Sequence, residues 1–428
     1  MSSTISAPTS AQEPGGAPSG FEADRSADSL GATVRAYVDR VRGGDLGALP
    51  AILGIVVLGL LFFALRPETF LTPRNMANLA DQAAPIIILA MGLVFILLLG
   101  EIDLSAGVVS GVCAAVMAKL LADAGVPWYV SVAAAIVTGV VIGLFTGSLV
   151  GMIGIPSFVV TLALFLGWQG FTLRLIGEGG TVPVRDPVIS AISDRNLPVV
   201  LGWVLALLVI AAYAALQLNR FRVQRARGLA HSPLAVVLVR IGVIAAVVVV
   251  VTAVLSVDRA PAVGVVLAGI PYAIPLVVVL LLFLTFVLGR TSFGRHVYAV
   301  GGNAEAARRA GINVTRIKVS VFVIGSTLAA ISGIVAAARL GSVAPGSGGG
   351  NTLLYAVGAA VIGGTSLFGG RGRVRDAVLG GLVVAIIANG LGLLGTEAYL
   401  NFIITGGVLL LAASVDALAR RRAAATGH

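Results

Sequence analysis

The sequence contains little lysine and almost no cysteine. Its 428 residues include two lysines, Lys119 and Lys318, one cysteine, Cys113, and three histidines. Neither lysine follows a glycine, so the chain has no GxxxxGK[ST] loop with which to hydrolyse ATP. A single cysteine excludes a disulfide framework and a cysteine-rich metal site. The three histidines are scattered along the sequence and do not indicate a metal cluster. We therefore predict no metal site and no catalytic site.

Charge is also scarce. Charged residues make up 11% of the chain and hydrophobic ones 58%, whereas a soluble chain carries about 25% charged residues. The long apolar segments lack the period-2 alternation of a membrane barrel, so they are predicted to be helices. The fold class is therefore all-α, a polytopic membrane protein with about twelve transmembrane helices. The predicted spans are 49–65, 83–99, 105–122, 129–151, 157–176, 199–216, 236–255, 264–288, 319–338, 353–368, 377–394 and 399–418.

The positive charges indicate an orientation for these spans. If the N-terminus is cytoplasmic, nineteen of the 29 lysine and arginine residues fall on the inner side and eight on the outer side. This bias predicts that both termini and the 290–318 loop are cytoplasmic.

Outside the transmembrane domain, predicted at 49–420, the chain has two tails. Residues 1–48 are expected to be a disordered leader rich in Ser, Ala, Pro and Gly. Within the leader, apolar residues recur at helical spacing from Ser29 to Arg42, as in a helix lying on an anionic membrane face; a disordered basic leader is the other interpretation. Residues 421–428 form a short C-terminal tail.

The longest polar interruption runs from Thr291 to Lys318 and contains a short helix signal. Asn303 is placed to cap the helix, and Glu305 suits its first turn. Arg308 and Arg309 suit the last turn, and Gly311 suits the stop. Two turns are too short to be stable alone in water, so either the flanking helices or a partner protein must hold this element.

Two carboxylates interrupt the apolar sequence at Gly100-Glu101-Ile102-Asp103-Leu104-Ser105. Acids at membrane depth usually face a cavity or a protein partner. The alternative is a tight turn on the inner side, with both acids in water and Asp103 or Ser105 capping the next helix.

Several polar side chains within spans are candidates for a solute pathway. Hydroxyls and amides suit an uncharged polar solute, but they also hold helices together through hydrogen bonds. Glycines such as those from Gly341 to Gly350 allow close packing or a broken helix that lines a cavity. The pathway candidates are Phe158, Thr161, Gln169, Asn351, Asn389 and Asn401.

Four motifs occur in an order that resembles a known family. GEIDLSAG (100–107), IPSFVVTLA (155–163), TSFGRHVYAVGGNAEAARRAGIN (291–313) and VIGGTSLFGGRGRV (361–374) are similar to motifs of the permease subunits of bacterial monosaccharide ABC importers. The resemblance covers residues 50 to 420 and is strongest to the xylose-type branch of the ribose/xylose group. Ala106, Arg309 and Asp376 depart from the usual pattern.

The resemblance implies a homodimer of permeases, an ABC ATPase on the cytoplasmic side and an extracytoplasmic sugar-binding protein. The permease would then need no cofactor of its own, because ATP and Mg would be bound by the ATPase. In that family the short cytoplasmic helix docks on the ATPase. By position, this coupling role falls on Gly301, Gly302, Asn303, Glu305, Ala306, Arg308 and Gly311.

Two function classes therefore follow. The first is the permease of an ATP-driven importer of a monosaccharide, with xylose as the first candidate, in the cytoplasmic membrane of a bacterium. The second is an ion-coupled secondary transporter of a small polar solute. The second needs an intramembrane acid and two related halves; Glu101 and Asp103 favour it, whereas the absence of a motif shared by the two halves disfavours it.

Overall fold

The computed structural model describes residues 47–228, 233–260, 266–397 and 399–408, together with 31, 410 and 414. The predictions for the N-terminal leader and the C-terminal tail fall almost entirely outside the described residues.

Helices dominate the described chain. They are α1 Leu49–Leu65, α2 Pro73–Leu98, α3 Ala106–Ala122, α4 Trp128–Ser148, α5 Ser157–Ile176, α6 Pro187–Asp194, α7 Val199–Ala226, α8 Leu234–Ser256, α9 Ala273–Arg290, α10 Ser292–Gly302, α11 Ala304–Arg309, α12 Val314–Leu340, α13 Thr352–Gly363, α14 Val374–Leu394 and α15 Tyr399–Val408. A π-helical turn, Leu149–Ile153, extends α4.

Four two-residue strands form two antiparallel pairs outside the helices. β1 (Val182–Pro183) pairs with β4 (Ser342–Val343), and β2 (Asn196–Leu197) pairs with β3 (Ile270–Pro271). These pairs fasten loops together and form no larger sheet within the described residues.

Each of the twelve predicted spans coincides with one helix. Eight helices, including the extended α4, are long and apolar enough to cross a membrane, whereas α1, α3, α13 and α15 are shorter. The all-α polytopic membrane fold is therefore confirmed. The number of crossings and their orientation stay predictions.

Several predicted boundaries are wrong. α7, for example, runs to Ala226 and not to 216, and three others differ for a clear local reason. α2 begins at Pro73 because Thr72 caps it and its first turns are polar, so an apolar-run criterion missed them. The span predicted at 264–288 begins as a helix only at Ala273, because Ile270 and Pro271 pair as a strand. The span predicted at 353–368 ends at Gly363, because Gly364 adopts a φ of 117°.

The chain divides into two compact units. Among the described residues, the smaller unit comprises Leu207–Val248, which includes parts of α7 and α8. The larger unit holds all the other described helices.

The core of the larger unit is built around α2, α12 and α14. Most of the apolar length of α2 and α12 is buried, and α12 packs against α2, α3 and α4. α14 packs against α13, α2 and α1. By contrast, few side chains of α5 and α9 are fully buried, and both helices present exposed large apolar side chains, as expected of surfaces that face lipid or another protein.

The glycine-rich segment from Gly341 to Asn351 packs closely against α3. A Cβ atom on Gly111 would overlap the carbonyl oxygen of Ser347, so only glycine permits this approach. The prediction of close glycine packing is confirmed here. The chain becomes helical again at Thr352, where α13 begins.

Candidate functional site

Parts of the four sequence motifs meet at one end of the larger unit. The turn at Leu98 to Gly100 lies beside Gly301 at the end of α10 and beside the loop at Gly369 and Gly370. The first turn of α5 contacts the segment that follows Gly100. Motifs far apart in the sequence therefore form one local structure.

The short helix α11 has the ends that the sequence predicts. The Asn303 side chain accepts a hydrogen bond of 2.9 Å from the Ala306 backbone N–H and so caps the first turn. Glu305 pairs with Arg308 at 2.8 Å and with Arg309 at 3.4 Å. Gly311, with a φ of 84°, follows the last turn. The predicted helix and its caps are confirmed.

One face of α11 is held by the flanking helices and the other is open. Ala307 is 4% exposed, and its carbonyl accepts a hydrogen bond from the Ile312 N–H. Ile312 and Ala304 are half-buried against the core. The flanking helices therefore give α11 the support that its length requires.

Most of the predicted coupling residues lie on the open face or at its ends. Gly301 is half-buried. The remaining six residues are exposed, namely Gly302, Asn303, Glu305, Ala306, Arg308 and Gly311.

The helix before α11, α10, is fixed against the loop at residues 366–373. The Tyr298 hydroxyl donates to the Gly372 carbonyl at 2.7 Å. The Gly370 N–H donates to the Leu98 carbonyl at 2.9 Å, and both groups lie in contact with Gly301. α10 therefore holds the base of α11 in a fixed position against the ends of α2 and α14.

The segment from Glu101 to Ser105 is not helical and is held by hydroxyl groups. The Ser157 hydroxyl accepts from the Ile102 N–H at 3.1 Å, and the Thr161 hydroxyl accepts from the Leu104 N–H at 3.0 Å. Because the backbone of this segment makes no helical hydrogen bonds, the two hydroxyls supply acceptors for its N–H groups. Thr161 therefore binds the protein backbone, as hydroxyls in spans commonly do.

Asp103 is buried, at 2% exposure. Its carboxylate accepts from the Ser105 N–H at 2.8 Å and from the Ser105 hydroxyl at 2.7 Å. Burial raises the pKa of Asp103, and these hydrogen bonds oppose the rise. The prediction of acids exposed to water in a turn is therefore wrong for Asp103, because the segment folds inward against α5.

Glu101 is mostly buried as well, and it pairs with Lys318. Its carboxylate lies 2.5 Å from the Lys318 ammonium, and the side chains are 14% and 25% exposed. Lys318 lies in the second turn of α12, shortly after α11. Sequence analysis missed this partner, since nothing local links the two residues; the rarity of lysine was the one available signal.

The pathway candidates do not form one cluster. Asn389 is buried and exchanges two hydrogen bonds, of 2.8 and 3.0 Å, with Asn75, which confirms the interhelical alternative. Asn401 accepts from the Thr396 hydroxyl at 2.5 Å. Phe158 and Gln169 are exposed on α5, and Asn351 is half-buried before α13. Within the described ranges no group of three potential ligands could hold a metal ion.

Comparisons with known proteins agree with this architecture. The sequence model of a family described as "Branched-chain amino acid transport system / permease component" matches residues 75–413. The chain belongs to this permease family. It is a multi-pass protein of the bacterial inner membrane.

The named relatives are sugar permeases. The xylose transport system permease protein XylH of Escherichia coli K12 is 36% identical over 378 residues, which cover 88% of this chain and 93% of that protein. The XylH protein of Haemophilus influenzae is 33% identical over 88% of this chain and 98% of its own length. The ribose import permease protein RbsC of E. coli K12 is 30% identical over 86% of this chain and 92% of its own length. No solved structure matches the chain.

Proposed function

We propose that this permease imports a monosaccharide, most readily D-xylose, with energy from a partner ATPase. The observation that carries the proposal is α11, a short helix held on one face and exposed on the other. The named relatives support a sugar as the cargo. The permease itself changes which side of the membrane is open and performs no covalent chemistry.

The proposed assembly places α11 against the ATPase, which binds ATP and Mg. Twelve crossings with both termini in the cytoplasm put α11 on the inner side, as the bias of positive charge supports. Two copies of the permease form the solute path, and an extracytoplasmic binding protein delivers the sugar. The candidates Phe158, Gln169, Asn351 and Asn401 are proposed to line that path. Thr161 and Asn389 are not, because their side chains are buried and bonded within the protein.

An ion-coupled transporter is less well supported. It needs an acid that is free to bind the coupling ion. Asp103 accepts two hydrogen bonds from Ser105, and Glu101 is paired with Lys318. Both acids that favoured this alternative therefore have partners within the protein.

The coupling role is tested with the double variant Glu305→Ala/Arg308→Ala. We expect the variant to insert normally and to lose recruitment of the ATPase, because exposed polar side chains of α11 are removed. The control Lys119→Ala/Asp123→Ala removes another exposed ion pair, at the end of α3. Normal recruitment by the α11 variant would remove the coupling assignment.

The energy source and the cargo are tested by uptake. D-xylose uptake should stop in cells depleted of ATP that keep their proton gradient; continued uptake would contradict an ATP-driven importer. In competition assays, D-xylose should compete better than D-ribose, D-allose or D-glucose. Stronger competition by a hexose would overturn the choice of xylose.

We also propose that the smaller unit contacts membrane lipid. Arg222 and Arg225 line a groove whose other walls are mainly apolar, a combination that suits an anionic headgroup with its acyl chains.

The double variant Arg222→Gln/Arg225→Gln should reduce the amount of phosphatidylglycerol that the permease retains on purification. Arg220→Gln/Arg227→Gln, which removes neighbouring arginines outside the groove, should not. Equal retention by both variants would argue against a specific site. The apolar walls are formed by Leu218, Phe221, Ala226, Leu234 and Leu238.

A further inference from the structure

The ion pair between Glu101 and Lys318 joins two segments that lie far apart in the sequence. Among the ion pairs of the described residues, the others join residues three or four positions apart on one helix or at its end. This pair instead connects the segment after α2 to α12. It is also less exposed than the others, so water screens its attraction less.

Lys318 lies close to α11 along the chain. α11 ends at Arg309 and α12 begins at Val314, so little chain separates them. Asn313 caps α12 by accepting from the Arg316 N–H at 2.9 Å. The Ile312 N–H donates to Ala307 of α11. The connection between α11 and the start of α12, here called the elbow, is therefore short and hydrogen-bonded.

Glu101 is attached to different helices. It directly follows the turn that ends α2 and stands five residues before α3. The segment it begins is bonded to α5 through Ser157 and Thr161. A displacement of Glu101 would therefore displace α2, α3 and α5 together.

We propose that the Glu101–Lys318 pair is a positioning contact that transmits movement of α11 to α2, α3 and α5. The inference rests on the proposed coupling function of α11. A force on α11 reaches Lys318 through the elbow. The ion pair transmits this force to the Glu101–Ser105 segment. The helices attached to that segment, α2, α3 and α5, then move with the ATPase. Without the pair, α11 can still dock and α12 still packs on α2 and α3, but the Glu101–Ser105 segment follows the movement of α11 less closely, so coupling weakens.

The experiment measures transport and ATP hydrolysis separately. The full complex of permease, ATPase and binding protein is reconstituted in liposomes and supplied with ATP and radiolabelled D-xylose. The variants Glu101→Gln and Lys318→Gln each remove one charge. We expect recruitment and hydrolysis to persist while sugar transported per ATP falls about tenfold, a change within the usual range of coupling between two sites.

Three controls separate pairing from a merely structural role. Lys119→Gln removes the other lysine, whose partner Asp123 is four residues away, and should couple normally. Glu101→Asp and Lys318→Arg keep the charges and should retain most of the coupling. The reversal Glu101→Lys/Lys318→Glu restores opposite charges and should recover coupling to within about threefold of the wild type.

The inference is overturned if both single variants couple as well as Lys119→Gln. It is also overturned if the reversal couples no better than the single variants. If the single variants do not insert, the reversal and the charge-conserving variants decide between these outcomes. Failure of the proposed function looks different, because the wild-type complex would then import no sugar with ATP.

Discussion

Gly301 offers a sharp test of how the proposed coupling site is built. A Cβ atom at this position would overlap the Leu98 carbonyl oxygen and lie 3.1 Å from the Gly370 nitrogen. Those two atoms are themselves joined by a hydrogen bond of 2.9 Å. The substitution Gly301→Ala therefore pushes the end of α10 away from the ends of α2 and α14.

The expected cost follows from three contributions. Overpacking costs about 1–3 kcal/mol, and disturbing one hydrogen bond adds about 0.5–1.5 kcal/mol. Alanine's helix propensity returns up to about 1 kcal/mol. The net destabilisation by Gly301→Ala therefore lies between about 0.5 and 4.5 kcal/mol, with a central value of about 2.5 kcal/mol. Its neighbour Gly302 supplies the control, because a Cβ atom there meets nothing within 4 Å.

The assay is thermal unfolding of the purified permease in detergent, followed by tryptophan fluorescence. Gly301→Ala should lower the apparent melting temperature, whereas Gly302→Ala should stay within about 0.5 kcal/mol of wild type. Equal melting of the two variants would refute the reasoning, because it would mean that α10 does not rest on the Leu98 carbonyl.

Other predictions concern buried polar contacts, all measured by the same melts. Thr161→Val removes the acceptor of the Leu104 N–H and should cost about 1–3 kcal/mol, whereas Thr161→Ser should cost less; equal losses would contradict the hydrogen-bond role. Asn389→Leu should destabilise the protein, and adding Asn75→Leu should recover part of the loss; strictly additive losses would argue against the amide pair. Burial raises the pKa of Asp103, so the folded state binds its proton more tightly than the unfolded state. The stability of wild type relative to Asp103→Asn should therefore be greatest below about pH 4 and fall as the pH rises through the folded pKa. If the stabilities of the two proteins change in parallel with pH, titration of Asp103 does not contribute to stability.

The short helix α11 shows how far local sequence can be read. Its cap at Asn303, its internal ion pairs and its stop at Gly311 are interactions between residues a few positions apart, so the sequence predicts them directly. The same sequence left open what supports the helix. The answer is the packing of Ala307 and Ile312 against the core, which depends on distant helices.

The acids at Glu101 and Asp103 show the opposite case. The sequence left open whether they face a partner within the protein or lie in a turn in contact with water. The segment folds against α5, and both side chains find partners within the protein. Whether a carboxylate meets water or a lysine depends on which helices lie beside it, and hydropathy contains no such information. The same limit applies to Asn389, for which pathway and packing roles could not be separated from sequence.

The sequence by itself determined that the protein is a bundle of membrane helices and where most of them lie, because an apolar run must satisfy its backbone internally wherever it enters lipid. It also determined the ends of α11, through contacts within one turn. Only the tertiary structure decided that four distant motifs meet around Leu98 and that Lys318 neutralises Glu101. Those contacts join residues far apart in the chain, and their formation depends on how whole helices pack.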